Sequence, residues 1–249
     1  MIAANIDVAF IVQSLDTNFN LRRLERYLVM VKDSNIKPIV LLSKSDLLDI
    51  EEITERVAEI HKIMPFLHVQ PFSNENESGL KNVMDLLAPQ QTYCLLGSSG
   101  VGKTTLLNNL IGESIFTTKT VREKDSKGRH ATTHRQLIKL DCEAMLIDTP
   151  GMRELGNFSV ETGIDETFTE IKELSEQCQF NDCTHVNEKG CAVLKAVEIG
   201  QVPEKRYQNY IKMKKESLYY EMSYLEKRQK DKQFGKLCKT VMKHKKNRR

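Results

Sequence analysis

The sequence has no run of about 20 apolar residues, the length that a helix needs to span a bilayer. Its opening stretch, MIAANIDVAFIV, is interrupted by Asp7 and lacks a basic n-region and a cleavage site. We therefore expect a cytoplasmic chain with no membrane partner. No internal repeat of solenoid length is present, which excludes a repeat fold. Cysteine is sparse, with six among 249 residues, and cytoplasmic cysteines are more often reduced thiols or metal ligands than disulfides.

The charge is distributed unevenly along the chain. With 40% hydrophobic and 29% charged residues, the composition is that of a globular protein. The net charge is +3, but residues 211–249 contain 14 Lys and Arg against 4 Asp and Glu, which leaves −7 for residues 1–210. Such a basic tail is typical of a segment that meets a polyanion, and the alternative is a solvated helix with a basic end.

Short aliphatic and β-branched runs alternate with amphipathic stretches up to Asp148. This alternation predicts an α/β fold with a mainly parallel sheet covered by helices on both faces. The predicted strands are VAFIV (8–12), PIVLLS (38–43), FLHVQPFS (66–73), TYCLLG (92–97), RQLIKL (135–140) and AMLID (144–148), and the predicted helices cover 20–33, 51–64, 78–89 and 103–112. Cys94 and Cys142 are expected to lie in strands and to be core thiols.

The pattern changes after Gly156. Residues 157–175 are polar with sparse apolar positions, residues 178–191 are rich in cysteine, and residues 204–234 resemble one long charged helix. The tyrosines at 219, 220 and 224 are expected to pack that helix. We therefore expect two domains, residues 1–156 and residues 157–249, the second being helical and ending in the basic tail.

GSSGVGKT, residues 97–104, matches the phosphate-binding pattern G-x-x-x-x-G-K-[ST] between a predicted strand and a predicted helix. Glycines let the backbone point its N–H groups at phosphate oxygens, and the helix N-terminus adds a positive dipole end. Lys103 would bridge the β- and γ-phosphates, and Thr104 would bind Mg²⁺. The predicted nucleotide contacts here are Gly97, Ser98, Ser99, Gly100, Val101, Gly102, Lys103, Thr104 and Thr105.

SKSD, residues 43–46, follows a predicted strand and is typical of a guanine-binding loop. The Asp46 carboxylate can accept hydrogen bonds from guanine N1–H and N2–H₂, whereas adenine presents an acceptor at N1. Asp46 thus disfavours the alternatives of an ATPase or a P-loop kinase. A second base loop is predicted where the next strand ends. The predicted nucleotide contacts at this end are Ser43, Lys44, Ser45, Asp46, Ser73 and Asn74.

The motif order is unusual, because the base loops precede the phosphate loop. GRHATTHR (128–135) stands where a first switch would be, and Asp148-Thr149-Pro150-Gly151 where a second would be. This order predicts a circularly permuted P-loop GTPase, since joining the old termini and cutting another loop preserves the core. Mg²⁺ is expected at Thr104, Thr133 and Asp148.

Met152 follows Gly151, at a position where glutamine often orients the attacking water. A thioether cannot do this by strong hydrogen bonding. His130 is the local candidate, although it could instead contact RNA or stabilise its loop. The predicted catalytic residues are therefore His130, Thr133, Asp148 and Gly151, and intrinsic hydrolysis is expected to be slow.

Cys178, Cys183, His185 and Cys191 form a C-x₄-C-x-H-x₅-C pattern within fourteen residues. Three thiolates and one imidazole complete a tetrahedral site, which is typical of structural zinc. Because no coordination position is left open, the metal would fold the segment and take no part in catalysis. We expect one zinc ion.

Taken together, SKSD, GSSGVGKT, the GRH-x-T-T segment, DTPGMRELG and the cysteine pattern resemble the circularly permuted, ribosome small subunit-dependent GTPases of bacteria. The resemblance implies a late-acting assembly factor that binds the 30S subunit and its 16S rRNA and hydrolyses GTP to GDP there. It also implies that zinc holds a helical domain beside the GTPase domain. A monomer is expected.

Three features depart from that family's pattern. The switch segment reads His130-Ala131-Thr132-Thr133, where three threonines usually follow the histidine; either remaining threonine could reach Mg²⁺, and Thr133, before the strand, is favoured. Members usually begin with an oligonucleotide-binding barrel, of which nothing is found in this sequence. The guanine motif has Ser43 where asparagine is usual, so one contact to the base or to the neighbouring loop is expected to be lost. A non-catalytic RNA-binding module regulated by guanine nucleotide is the alternative function.

Overall fold

Six strands form one sheet in the order β3-β2-β1-β4-β6-β5. The computed structural model describes residues 5–112, 136–148, 160–229 and 232, without the side chains of Gln136 and Asp148. All neighbouring strands run parallel except β5, which pairs antiparallel with β6. The six predicted strands are confirmed as β1 (Val8–Ser14), β2 (Lys37–Ser43), β3 (His68–Pro71), β4 (Thr92–Leu96), β5 (Gln136–Lys139) and β6 (Met145–Asp148).

Helices cover both faces of this sheet, as the alternation predicts. On one face α1 (Leu21–Asp33) and α2 (Ile50–Ile63) pack against Ala9 and Ile11 of β1. On the other face α3 (Leu80–Met84) and α4 (Lys103–Ile111) pack against Phe10 and Val12 of the same strand. Successive side chains of a strand point to opposite faces, so the fully buried β1 serves both cores.

Four further helices form a second packed region against α1. They are α5 (Glu161–Thr167), α6 (Thr169–Ser175), α7 (Ala192–Glu198) and α8 (Glu204–Glu221). Ile164, Phe168 and Ile171 are fully buried there and pack with Val29 of α1. Gly163 allows the approach, because a Cβ on it would lie 1.9 Å from the carbonyl oxygen of Val29. Among residues 160–175, the sparse apolar positions Ile164 and Ile171 are thus helical core positions.

A buried ionic cluster joins this second region to α1. Arg206 of α8 is 2% exposed and donates to the carboxylates of Glu25 on α1 (2.7 Å) and Glu170 on α6. It also donates to the carbonyl of Thr167 at 2.9 Å and lies over the Phe168 ring. Although burial lowers the pKa of Arg206, Glu170 and Glu25 raise it overall. Burial raises the pKa of Glu25, and the cations of Arg206 and Arg22 oppose that shift. We assign both groups their charged forms, because the pair is in direct contact.

The prediction of one helix over 204–234 is wrong within the described residues. The helix α8 ends at Glu221, and a new helical segment covers 224–229. Ser223 accepts from the backbone N–H of Glu226, while the Glu226 carboxylate accepts from the backbone N–H of Ser223. This reciprocal capping box starts a helix, which is why the first one stops.

Three smaller expectations also need correction. The predicted helix over 78–89 is too long, because the observed helix α3 ends at Met84 and Asp85 is its C-cap. Cys94 is a buried core thiol as expected, but Cys142 is exposed in the turn between β5 and β6. Tyr219 and Tyr220 contact each other edge-on, whereas Tyr224 is 75% exposed and does not pack the helix.

No helix in the described ranges is long and apolar enough to cross a membrane.

Candidate functional site

Three loops that the sequence assigns to nucleotide binding lie at one edge of the sheet. They follow β2, β3 and β4, and the carboxyl ends of parallel strands share an edge. Crevices at this edge are the usual ligand sites of open α/β sheets. The strand order places the phosphate loop after a central strand, with the base loops to one side.

The phosphate loop runs from Gly97 to the first turn of α4. Gly97 has φ +152° and lies so close to β1 that a Cβ would meet the carbonyl oxygen of Val12 at 2.4 Å. Lys103, the first residue of α4, donates its Nζ protons to the carbonyls of Gly97 (2.8 Å) and Ser98 (2.7 Å). The lysine therefore lies inside the curled backbone, where a phosphate-binding lysine acts.

The guanine motif is joined to the second base loop. Asp46 Oδ1 accepts a 2.5 Å hydrogen bond from Ser73 Oγ, and the backbone N–H of Ser45 donates to the carbonyl of Phe72 at 3.2 Å. Ser73 Oγ also accepts from the backbone N–H of Glu75 at 3.0 Å. Ser73, which follows β3, thus holds the Asp46 carboxylate at the end of β2.

Both base loops are tied to the phosphate loop. Ser43 is fully buried, and its hydroxyl lies 2.6 Å from the carbonyl oxygen of Val101. Serine at this position therefore contacts the phosphate loop through its hydroxyl, and the expected loss of one contact relative to asparagine stays a prediction. Asn74 Nδ2 donates to the carbonyl of Gly102 at 3.2 Å, and Asn109 of α4 donates to Asn74 Oδ1 at 3.1 Å.

The segment between β1 and α1 also reaches this site, and the sequence motifs do not indicate it. Lys44 of the guanine motif pairs with Asp16 at 2.7 Å. Burial alone would raise the pKa of Asp16, but hydrogen bonds from Lys44, Ser14 and the backbone of Asn18 lower it overall. Arg23, near the start of α1, donates to Ser98 Oγ at 2.9 Å. In the sequence, Asp16 and Asn18 are indicated only by the polar run SLDTNFN (14–20), which follows β1, the neighbour of β4 in the sheet.

The predicted switch residues are only partly placed. Asp148 ends β6 and lies opposite Leu95 of β4 in the sheet, two residues before the phosphate loop begins. Thr104 and Thr105 lie in the first turn of α4. His130, Thr133 and Gly151 fall outside the described residues, as does the domain boundary near 157. Their assigned roles remain predictions.

Cys178, Cys183, His185 and Cys191 converge on one point of the second region. Their ligand atoms all lie within 4.8 Å of one another. His185 Nδ1 is 3.6 Å from Cys178 Sγ and 3.5 Å from Cys191 Sγ, and these two sulfurs are 3.9 Å apart. Four soft or borderline donors at these separations could hold one metal ion in a closed tetrahedral site.

The surrounding residues hold the ligands in place. Cys191 caps α7 by accepting from the backbone N–H of Leu194, and Tyr207 of α8 donates to the carbonyl of His185 at 2.7 Å. The Glu188 carboxylate accepts from the backbone N–H groups of residues 184, 186 and 187. Burial lowers the pKa of His185, so its imidazole is kept neutral, the form that binds metal.

Comparison with known proteins agrees with this geometry. The family model described as RsgA GTPase matches residues 1–158. The chain is 41% identical over 248 residues to small ribosomal subunit biogenesis GTPase RsgA 2 of Vibrio parahaemolyticus, covering 100% of this chain and 69% of the relative. It is 47% identical over 220 residues to the RsgA 2 protein of Lactiplantibacillus plantarum, covering 88% of this chain and 61% of that relative.

Two solved structures share the fold. One is YjeQ from Thermotoga maritima, with a TM-score of 0.62, 30% identity and coverage of 86% of this chain and 72% of that chain. The other is YloQ, a circularly permuted GTPase, with a TM-score of 0.62, 27% identity and coverage of 88% and 71%.

A second family model, for ABC transporters, matches residues 80–246. That range includes the phosphate loop, a feature of many nucleotide-binding proteins. It excludes the guanine motif at 43–46 and the second base loop at 73–74, which the first model includes. The base loops and the relatives therefore decide between the two.

Proposed function

The chain belongs to the RsgA GTPase family, and on that premise we propose that it is a GTP hydrolase acting in late maturation of the 30S ribosomal subunit. The observation that carries this proposal is the contact of both base loops with the phosphate loop, through Ser43 with Val101 and Asn74 with Gly102. One ligand can therefore meet base-reading and phosphate-binding groups together.

The base end of the site suits guanine. A carboxylate offers about four acceptor positions, and within the described residues Asp46 has a side-chain partner only in Ser73. The remaining lone pairs can accept from guanine N1–H and N2–H₂. Ser73 also fixes the carboxylate, so the base meets a preorganised acceptor. Lys44, held by Asp16, covers the base with its stem.

At the phosphate end we assign Mg²⁺ to Thr104, Thr133 and Asp148, and catalysis to His130, Thr133, Asp148 and Gly151. These assignments are supported by the motifs and by the positions of α4 and β6. When bound, the metal neutralises charge on the β- and γ-phosphates. Lys103, inside the loop, supplies positive charge to the same oxygens. His130 would orient the water that Met152 cannot.

The metal centre suits one structural zinc ion. Zinc–sulfur distances of about 2.3 Å and zinc–nitrogen distances of about 2.0 Å at tetrahedral angles give edges of about 3.8 Å and about 3.5 Å. The edges among Cys178, His185 and Cys191 are 3.9 Å between sulfurs and 3.5 and 3.6 Å between sulfur and nitrogen, and Cys183 Sγ lies within 4.8 Å of the other three ligand atoms. We assign the centre to a helical domain, residues 157–249, beside a GTPase domain of residues 1–156.

We assign the 30S subunit and its 16S rRNA as partners of a cytoplasmic monomer. The net charge of +10 over 211–249 favours a polyanion. The exposed Tyr224 and Leu225 follow α8 in this basic part of the chain. The curated relatives are named for small subunit biogenesis, which supports the same partner.

The test is multiple-turnover phosphate release from GTP, with and without purified 30S subunits, and with ATP as the control substrate. Lys103→Ala serves as the inactive reference, because it removes the phosphate-binding cation. We expect slow release from GTP alone, stimulation by 30S subunits and no release from ATP. Release no faster than that of Lys103→Ala, with subunits present, would replace the hydrolase by a non-catalytic module regulated by guanine nucleotide.

A further inference from the structure

Three arginines lie close together on α1, and only one of them lacks a carboxylate partner among the residues that the structure describes. Arg22 pairs with Glu25 at 2.5 Å, and Arg26 pairs with Glu216 at 2.7 Å. Arg23 instead donates from one guanidinium nitrogen to two neutral acceptors, Ser98 Oγ and Asn18 Oδ1, each at 2.9 Å. Its charge is therefore not compensated within the described part of the protein.

Arg23 is fixed at the phosphate loop. Ser98 is the second residue of GSSGVGKT, and its hydroxyl oxygen also accepts from Asn18 Nδ2 at 3.3 Å. A hydroxyl oxygen has two acceptor lone pairs, so Arg23 and Asn18 occupy both. These contacts anchor the guanidinium to a loop residue 75 positions away in the sequence.

A second cation meets the same residue. Lys103 Nζ donates to the carbonyl oxygen of Ser98 at 2.7 Å, so two positive charges flank Ser98, one at its hydroxyl and one at its carbonyl. A cation such as Arg23, whose described partners are neutral, attracts an anion more strongly than a cation in an ion pair does, because no fixed negative charge offsets it. The phosphate loop is where the anion binds.

We propose that Arg23 is a specificity-determining residue of the nucleotide site: its anchored charge favours the triphosphate over the diphosphate. This inference rests on the proposed GTPase function and deepens it. The attraction of a fixed cation grows with ligand charge, and the γ-phosphate adds negative charge to the nucleotide. Arg23 is thus a cation supplied by α1, in addition to the lysine of the motif.

The experiment measures dissociation constants of GDP and of a non-hydrolysable GTP analogue, with Mg²⁺, for the full chain and four variants. Arg23→Gln removes the charge, Arg23→Lys keeps it, and Ser98→Ala removes the anchor. Lys62→Gln, an exposed cation on α2, is the matched control for loss of one charge. Thermal unfolding of each nucleotide-free variant reports folding separately.

We expect Arg23→Gln to weaken binding of the GTP analogue on the order of tenfold and binding of GDP on the order of threefold or less. Arg23→Lys should keep most of the preference, Ser98→Ala should lose part of it, and Lys62→Gln should match the unaltered protein. Raised salt should shrink the effect of Arg23→Gln.

One result would overturn the inference: Arg23→Gln leaves the ratio of the two dissociation constants unchanged. This holds whether neither ligand is weakened or both are weakened equally, as they would be if Arg23 had only a structural role. If the unaltered chain bound neither GDP nor the GTP analogue, the proposed function itself would fail. That result differs from failure of the Arg23 inference, in which the unaltered chain still binds both nucleotides.

Discussion

Two regions of the molecule reach their folded states by different means. They are the sheet region, which consists of β1–β6 with α1–α4, and the metal-binding region, which consists of α5–α8 with the Cys/His cluster. In the sheet region, strands such as the fully buried β1 supply apolar side chains to a core on each face. In the metal-binding region, three helices of seven residues each are too short to be stable alone. We propose that a metal ion held by the Cys/His cluster, together with the buried ionic cluster, compensates for their small apolar core. We therefore expect the two regions to respond to different perturbations.

The largest expected effect is loss of the metal. Cys183→Ser removes one of four ligands, and metal binding supplies folding free energy on the order of 10 kcal/mol in small zinc domains. We expect fast amide hydrogen exchange over 160–200 and continued protection of β1, β2 and β4. Metal content per chain is measured in parallel.

Cys142→Ser is the matched control, because Cys142 is an exposed cysteine outside the centre. It should keep the metal and the protection pattern. Protection of 160–200 that survives in metal-free Cys183→Ser would mean that the apolar core alone folds this region.

The second prediction concerns the ionic cluster at the border of the two regions. Arg206→Met removes one of the two cations that pair with the buried Glu25, leaving Arg22, and removes the partner of Glu170. Breaking a buried pair from one side costs about 3–5 kcal/mol, and because Arg22 stays we expect the lower end of this range, which urea unfolding can measure. Arg56→Met breaks an exposed pair with Glu59 and should cost about 0–1 kcal/mol. Equal costs for the two variants would contradict the structural role given to the cluster.

The third prediction tests the sheet region, where function should change with little change in stability. Asp46→Asn replaces an acceptor for guanine N1–H by an amide, so guanine nucleotide affinity should fall by about 1.5–3 kcal/mol. Xanthine nucleotides should gain, since the amide N–H₂ can donate to the xanthine C2 carbonyl. Fluorescent nucleotide titration measures both affinities. Asp141→Asn, an exposed carboxylate in the turn between β5 and β6, should change neither, and unchanged base preference in Asp46→Asn would contradict the base assignment.

The smallest expected effect lies at the end of the metal-binding region. Ser223→Ala removes the cap of the segment at 224–229 and should cost about 1 kcal/mol of local stability. Hydrogen exchange of 224–229 measures this loss, while Ser223→Thr should retain the cap. Faster exchange in both variants would indicate that the hydroxyl is not the stabilising group.

Much of the fold follows from local sequence patterns. The six strands, the phosphate loop and the four metal ligands could be predicted because each depends on residues close together in the chain. The capping box at Ser223 and Glu226 is also a local signal, and it separates two helices where the charged pattern alone predicts one. Cys142 lies two residues from each of the strands β5 and β6 as the sequence predicts them, and the turn between these strands exposes it.

Other features depend on contacts between distant residues. Ser43 keeps its contact with the phosphate loop only because β2 and β4 flank β1, which brings residues 43 and 101 together. Arg22, Arg23 and Arg26 look alike in the sequence, yet two pair with carboxylates and one reaches Ser98.

The sequence by itself thus determined the chemistry of the two sites, since the phosphate loop and the C-x₄-C-x-H-x₅-C pattern carry their own local geometry. The tertiary structure alone decided which charges contact the phosphate loop and how α1 meets the metal-binding region. The physical reason is that hydrogen bonds within a loop depend on nearby residues, whereas partners of a charged side chain depend on strand order and helix packing.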